Sequence, residues 1–399
     1  MDNNTNNWKE FTLGNPQEEQ PKRVQKRRRS PWLTLALLAL GAALIVTGVL
    51  LWDQSAFDGL RRNVVYLTAK KDDNGCARLY HYAVDVSSTY AALDGSLVNL
   101  SRNQLLLINE SGYTVENRAI RFTDPVLVQG SKRAVAYDVG GKSLYVLGKK
   151  GVVWELSGED AILCATINEQ NYVTVVSGKS GYKASVSVYD ADGNAVFQYN
   201  SADRFVVCAA LSRDSRYLMA VTLGRQDDGY ASCAVIYRVN QENPVADVPI
   251  CDGMVYDAGW VDGRFCAVGE EGLYFVDTSG TVTATYDYGG WVLRRCALSE
   301  NGFAALLLSR YATGSQYRLL TISSAGDELG VVDVDREITD LSTAGRYTGL
   351  LCADSLEIYD KTLALVGHLD DVSDVRAVLL RSDGSAVLAG TTSASLYLP

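Results

Sequence analysis

Histidine and proline are scarce in this 399-residue sequence, and no two of its eight cysteines are adjacent. The two histidines, His81 and His368, lie far apart, which leaves little material for histidine-based metal sites or general-base catalysis. Seven prolines stand against 35 glycines and 23 tyrosines, a mix of turn formers and strand-favouring aromatics that argues for an all-β chain over a helix-rich one. With 47% hydrophobic and 21% charged residues, the balance is that of a globular protein, which excludes disorder throughout. Basic charge is scarce in the body: before Asp53 there are seven Lys or Arg against four Asp or Glu, leaving 30 against 43, about −13, for the rest. An acidic body repels phosphate backbones, so nucleic acid is not an expected partner.

One segment has no charge at all. From Pro31 to Trp52 the chain reads PWLTLALLALGAALIVTGVLLW, and a helix over Trp32 to Trp52 is about 32 Å long, matching a hydrocarbon core of roughly 30 Å. Trp32 and Trp52 fall where indole rings favour the headgroup level. The run is too long for a signal-peptide core, and LLWDQSAF is a poor cleavage site. The sequence therefore predicts one transmembrane α-helix over residues 31–52, in contact with the lipid bilayer. Lys22, Arg23, Lys26, Arg27, Arg28 and Arg29 crowd its N-terminal side, so the positive-inside rule places residues 1–30 in the cytoplasm as a polar, basic, disordered tail. Residues 53–63 then form a linker, and 64–399 an extracellular domain of this single-pass chain.

That domain repeats one pattern. The stretch SVSVYDADGNAVFQY (Ser185 to Tyr199) is a strand, a glycine turn and a second strand, and it recurs as LLLINESGYTV, LYVLGKKGVVWEL, LYFVDTSGTVTATY and LLTISSAGDELGVV. Gly112, Gly151, Gly193, Gly280 and Gly326 mark the turns, where a positive φ is needed. Weaker copies without that glycine are AVIYRVNQENPVADV, LEIYDKTLALVGHL and the closing SLYLP. Equivalent points at Asn109, Gly148, Asp190, Arg238, Asp277, Ser323, Asp360 and Pro399 are 39, 42, 48, 39, 46, 37 and 39 residues apart, the spacing of propeller blades. A second hairpin precedes each copy, as in CAALSRDSRYLMAV and CALSENGFAALLL, so each repeat supplies four strands. The predicted fold is all-β: a β-propeller of eight four-stranded blades, with seven as the alternative because Val64 to Leu100 parses poorly. The last repeat ends after its third strand, and NVVYLTA (Asn63 to Ala69) is the candidate to fill the vacant place and close the ring.

The pattern LYVLGKKGVVWEL resembles the repeats of quinoprotein-like (PQQ-like) propellers. No blade ends in Trp-Asp, and Gly367-His368 is a lone Gly-His pair, so the chain does not resemble a WD-repeat protein. The whole layout, a basic tail, one helix and a Tyr- and Gly-rich propeller, resembles the bacterial single-pass membrane proteins grouped as domain of unknown function 5711. That resemblance implies a fold and a compartment and brings no known activity.

Chemistry is thinly marked. Quinone-dependent dehydrogenases of this fold carry adjacent cysteines, absent here, so no cofactor is expected. Cys164, Cys208 and Cys296 occupy one place in their blades, each before Ala, and read as small buried residues rather than disulfide partners. Gly141-Lys142-Ser143 and Gly178-Lys179-Ser180 lack the upstream glycine of a phosphate loop, and KDDNG and RQDDG lack the downstream acid of a calcium loop, so no metal or catalytic residue is assigned. The best binding candidates are Asp124, Asp203, Asp257, Asp340 and Asp374, each read as preceding the innermost strand of a blade, where carboxylates would ring one channel mouth. Aspartates that stabilise their own turns are the plainer alternative. Tyr286, Tyr288 and Trp291 on the YDYGGW loop, with Trp260 on the neighbouring blade, form a second candidate for sugar stacking or protein anchoring, with packing between blades as the alternative. The expected function is a non-enzymatic binding or scaffolding module for an envelope protein or assembly. The alternatives are an extracytoplasmic hydrolase or lyase and a receptor for cell-wall glycan or peptide.

Overall fold

A computed structural model describes residues 75–399 except 83–87, 94, 110, 227–228, 300–301, 312–315 and 373. The predicted tail, membrane helix and linker, 1–30, 31–52 and 53–63, lie outside the described residues, as does the strand expected at 63–69. Among the described residues no helix is long and apolar enough to cross a membrane.

The described chain folds into eight sheets of four antiparallel strands. Seven are simple meanders. The innermost strands of blades 1 to 8 are Thr89–Leu93, Pro125–Gln129, Ile162–Ile167, Phe205–Leu211, Val255–Val261, Val292–Ser299, Ile338–Ala344 and Val375–Leu380. Each of these contacts the inner sheet region of the next blade, and that of blade 8 contacts that of blade 1, so the blades form a closed ring. The prediction of eight blades holds. The segment that parsed poorly supplies the first two strands of blade 1, Thr89–Leu93 and Ser96–Leu100.

Closure departs from the prediction in one respect. The vacant outer place in blade 8 is filled by Cys76–His81, which pairs antiparallel with Ser393–Tyr397, not by Asn63–Ala69. The physical reason lies in two tyrosines. Tyr80 is 1% exposed. Its hydroxyl donates to Gly95 O at 2.7 Å in blade 1, and Tyr82 donates to Gly390 O at 2.8 Å in blade 8, so the pair ties first blade to last.

The core is divided into eight apolar clusters, one at each blade interface. A blade can bury both faces only against two neighbours, which is why closure matters for stability. The glycine turns bear out the repeat. Asn109, Asp190, Asp277 and Asp360 each accept, through one side-chain oxygen, the amides two and four residues on. Ser323 does the same with its hydroxyl. In blade 7, which lacks the glycine, Leu363 itself takes φ +58°, with its side chain buried at the interface of blades 6 and 7.

Candidate functional site

The two ends of the ring differ. Because each blade is an antiparallel meander, the crossings into inner strands and the middle hairpin turns all emerge at one mouth, here called the entry mouth. The outer hairpins and the turns after the inner strands emerge at the other.

Blades 3 to 8 carry a bulge near the start of the inner strand, at Leu163, Val207, Tyr256, Arg294, Thr339 and Arg376. A bulge re-aims side chains, and it sets a common register for the residue that follows. Those following residues, Cys164, Cys208, Asp257, Arg295, Asp340 and Ala377, stand at equivalent points on the channel wall. An inner strand leaves one backbone edge unpaired, and the preceding blade covers it with side chains. Cys164 Sγ reaches Val207 O at 3.6 Å, Thr166 Oγ1 donates to Ala209 O at 2.9 Å and Asn168 Nδ2 to Ser212 O at 3.0 Å. Arg295 donates to Thr339 O at 2.6 Å, while Asp340 Oδ2 and Ser342 Oγ accept from Val378 N and Leu380 N at 3.0 and 3.2 Å.

This register revises the carboxylate ring. Asp124, Asp203 and Asp374 do lie on the crossings, exposed at the entry mouth. Asp257 and Asp340 lie inside their inner strands, displaced by the bulge, so the five do not form one ring. Asp340 bridges blades, with Arg295 Nη1 3.6 Å from its Oδ1. The turn before the inner strand of blade 2 is held by Asp138, whose Oδ1 accepts from Thr123 N and Asp124 N at 2.8 and 2.7 Å. The side chain that stabilises that turn is therefore not Asp124.

Asp257 is the odd member. Among the described residues its side chain bonds only the adjacent amide, Ala258 N at 2.8 Å. It is open to channel solvent yet crowded by the inner strands, and that crowding pushes its pKa above the ordinary carboxylate range. Its charge also acts on the thiols of Cys164, Cys208, Cys266 and Cys296. Burial first, and Asp257 next, push Cys164 and Cys296 up to about 12, so neither thiol ionises near neutral pH. Cys164, Cys208, Cys233, Cys251, Cys266, Cys296 and Cys352 are free thiols. Cys296 does not share the place of the other two: blade 6 has Arg295 at the position after the bulge, and Cys296 packs into the interface of blades 5 and 6.

The raised carboxyl of Asp257 gives a pH prediction. A carboxyl whose folded pKa exceeds its unfolded one binds more protons when folded, so it disfavours folding increasingly as pH rises from the ordinary carboxylate value through the raised one. Asp257→Asn should therefore raise the thermal midpoint at pH 7, and the gain over wild type should shrink as pH falls toward 4. A gain that is equal at both pH values, or a loss at pH 7, contradicts this reading.

The aromatic candidates separate. Trp260 lies near the far end of its inner strand, edge-on to Phe265 with ring centres 4.8 Å apart, so it does not join the YDYGGW loop. Tyr286 is half-buried, with its hydroxyl 3.0 Å from Glu328 Oε2. Tyr288 is buried, and its hydroxyl has no partner among the described residues. Trp291 is half-buried at the entry mouth, with the guanidinium of Arg318 4.5 Å from its ring centre.

Exposed apolar side chains gather at that same mouth. Those on the outermost strands are mostly single valines, whereas blades 3 to 6 present an arc at the entry mouth. Leu163 and Tyr182 come from blade 3, Phe205 and Tyr230 from blade 4, Met254 and Tyr256 from blade 5, Val292 and Tyr311 from blade 6. Phe205 is 55% exposed, Tyr230 and Tyr311 each 63%. Lys183 Nζ sits 5.0 Å from the Phe205 ring centre and Lys179 Nζ 5.8 Å from that of Tyr182, so cations edge the arc over blades 3 and 4. Over blade 5 the edge is acidic, with Glu270 and Glu271 beside a cleft of about 480 Å³ lined also by Tyr256 and Trp291. The repeated Gly-Tyr of the middle turns, Gly181-Tyr182 and Gly229-Tyr230, is the sequence signal that marks this arc.

Strand order and closure define the class: an eight-bladed β-propeller sealed by its first described strand. The chain belongs to the family of unknown function DUF5711, whose model matches residues 79–372. No curated protein matches it. Among solved structures, the Cps50 (Swd1) β-propeller domain of Myceliophteria thermophila is similar with a TM-score of 0.47 and 8% identity, covering 69% of this chain and 96% of that one. Apo AztD from Citrobacter koseri gives 0.46 at 13% identity, covering 71% and 85%. A chain of the Mitotic Checkpoint Complex gives 0.43 at 12% identity, covering 82% and 96%. Identity this low transfers neither ligand nor partner, and the fold assignment rests on the strand order.

Proposed function

We propose that this protein is a membrane-anchored binding or scaffolding module that holds an envelope protein on the entry mouth of its propeller, outside the bacterial membrane. The observation that carries the reading is the arc of exposed aromatic and apolar side chains on blades 3 to 6. A contiguous apolar face on a soluble surface, rimmed by charge, is the common mark of a protein interface. Tyrosine and phenylalanine present large area at low conformational cost, which suits them as anchors. The activity is binding rather than turnover. Burial keeps the thiols of Cys164 and Cys296 protonated, and Asp340 is engaged in joining blades. The anchor and orientation rest on the uncharged run at 31–52 and the basic cluster before it.

A single experiment addresses both partner and compartment. A membrane-impermeant amine cross-linker applied to intact, wall-stripped cells should join the chain, through Lys179 and Lys183, to a stoichiometric protein partner. The combined substitution Tyr182→Ser, Phe205→Ser and Tyr230→Ser should lower that yield about tenfold or more, the loss of one or two anchor residues' contribution. Adducts that form only after lysis would overturn the orientation. Recovery of wall fragments alone would overturn the protein partner.

A further inference from the structure

The arc includes a cleft where the crossing from blade 5 to blade 6 meets the middle turn of blade 5. Its walls are Tyr256, Trp291 and Val292, and its carboxylates are Glu270, Glu271 and Asp287. Among the described residues none of these three acids forms an ion pair. Two nearby cations, Arg294 and Arg318, make their hydrogen bonds outside the cleft. Arg294 donates to Ser309 Oγ at 2.8 Å and Tyr311 O at 3.2 Å, and Arg318 donates to Asp333 Oδ1 at 2.7 Å. Burial first, and the charge of Glu270 after it, raise the pKa of Tyr256; burial and Cys251 raise that of Tyr274, with the charges of Glu271 and Asp287 as lesser causes. Gly289 and Gly290, at φ +61° and +78°, have nothing within 4 Å of where a Cβ would stand, so the loop leaves the space beside the acids open.

We propose that this cleft receives an arginine side chain of the docked protein, whose neighbouring apolar residues lie along the arc on blades 3 and 4. The inference rests on the docking reading above and adds the chemistry of the partner. Charge complementarity selects a cation, since three carboxylates outside any ion pair among the described residues line one opening, Asp287 accepting only from Gly289 N at 2.7 Å. Aromatic walls select a flat one: a guanidinium stacks on a ring face while its fork of N–H groups reaches carboxylates on either side, which a lysine ammonium cannot do at once. Trp291 is met by guanidinium groups of this chain, Arg310 5.5 Å and Arg318 4.5 Å from its ring centre, so the exposed Tyr256 is the aromatic wall left for a partner's guanidinium. Arginine beside aromatic and aliphatic contacts is also the usual composition of an interface anchor.

The test is selection of phage-displayed random twelve-residue peptides on the full-length chain in detergent micelles. Wild type should enrich peptides carrying arginine next to apolar residues, with arginine about tenfold above the input library. E270Q/E271Q/D287N should lose the arginine enrichment, keep the apolar enrichment and melt as wild type does. D192N/E242Q/D327N, which removes three exposed acids at the opposite mouth, should leave both enrichments intact and so control for net charge. No arginine enrichment on wild type, or its persistence in E270Q/E271Q/D287N, overturns the assignment of the cleft. Peptides that are apolar without arginine and depend on Phe205 and Tyr230 would overturn the cleft alone. Absence of any peptide sensitive to Phe205→Ser and Tyr230→Ser would overturn the docking reading with it.

Discussion

Tyr80→Ala is expected to destabilise the propeller by about 3–5 kcal/mol, the cost of removing a fully buried aromatic ring, and to loosen the ring at one seam. Tyr80 is 1% exposed within the cluster that joins blade 8 to blade 1, and its hydroxyl reaches Gly95 O at 2.7 Å. A donor removed there leaves a buried carbonyl without its partner, which adds to the cavity cost. Against a total stability of about 5–15 kcal/mol, a loss of that size is severe. Urea unfolding should show a lower midpoint. Hydrogen exchange should show protection lost first in Ala386–Gly390, Ser393–Tyr397 and Ser96–Leu100, the strands on either side of the seam. Tyr113→Ala, at a residue 72% exposed on an outer turn, should change stability by no more than about 0.5 kcal/mol. If both substitutions cost the same, Cys76–His81 does not hold the ring closed.

Gly280→Ala should cost about 1–3 kcal/mol more than Gly112→Ala, although both glycines occupy the same place in their turns. Their φ values are nearly equal, +89° and +82°, so any side chain pays the same backbone penalty of about 1–2 kcal/mol in either blade. The surroundings differ. A Cβ at Gly280 would stand 2.2 Å from Ala246 Cβ on the outermost strand of blade 4, whereas one at Gly112 meets nothing within 4 Å. Gly280 thus serves both the turn and the close approach of two blades. Gly193 does likewise against Trp154, where a Cβ would fall 2.9 Å from the indole. Denaturant midpoints of the two variants decide the matter, and equal losses would show that blade contact adds nothing at Gly280.

The repeat was legible in the sequence because its turns demand particular residues. An oxygen at Asn109, Asp190, Asp277, Ser323 or Asp360 must accept two amides, and a glycine three residues on relieves the positive φ in four of these five turns. The closing strand was not legible. Cys76–His81 meets Ser393–Tyr397 across almost the whole chain, so no local turn signal announces the pairing, and Asn63–Ala69 carries an equally plausible strand pattern. Asp257 and Asp340 were misplaced for a different reason. A bulge moves a residue relative to its strand without changing the residue types, so spacing alone cannot distinguish a crossing from a strand interior. The mouth arc was hidden because Phe205 and Val292 read as ordinary strand residues. Only the closed ring shows that the ends of these strands extend past the packed interfaces.

The most direct test of the docking claim is site-specific photo-cross-linking in native membranes, with a photoreactive residue placed at Phe205 or Tyr230 on the entry mouth, or at Tyr113 or Val331 away from it. The account predicts one protein adduct of defined mass from each of the first two positions and none from the other two. Adducts from Tyr113 or Val331 with none from Phe205 and Tyr230 would contradict it, because the partner would then be held by a surface other than the entry mouth.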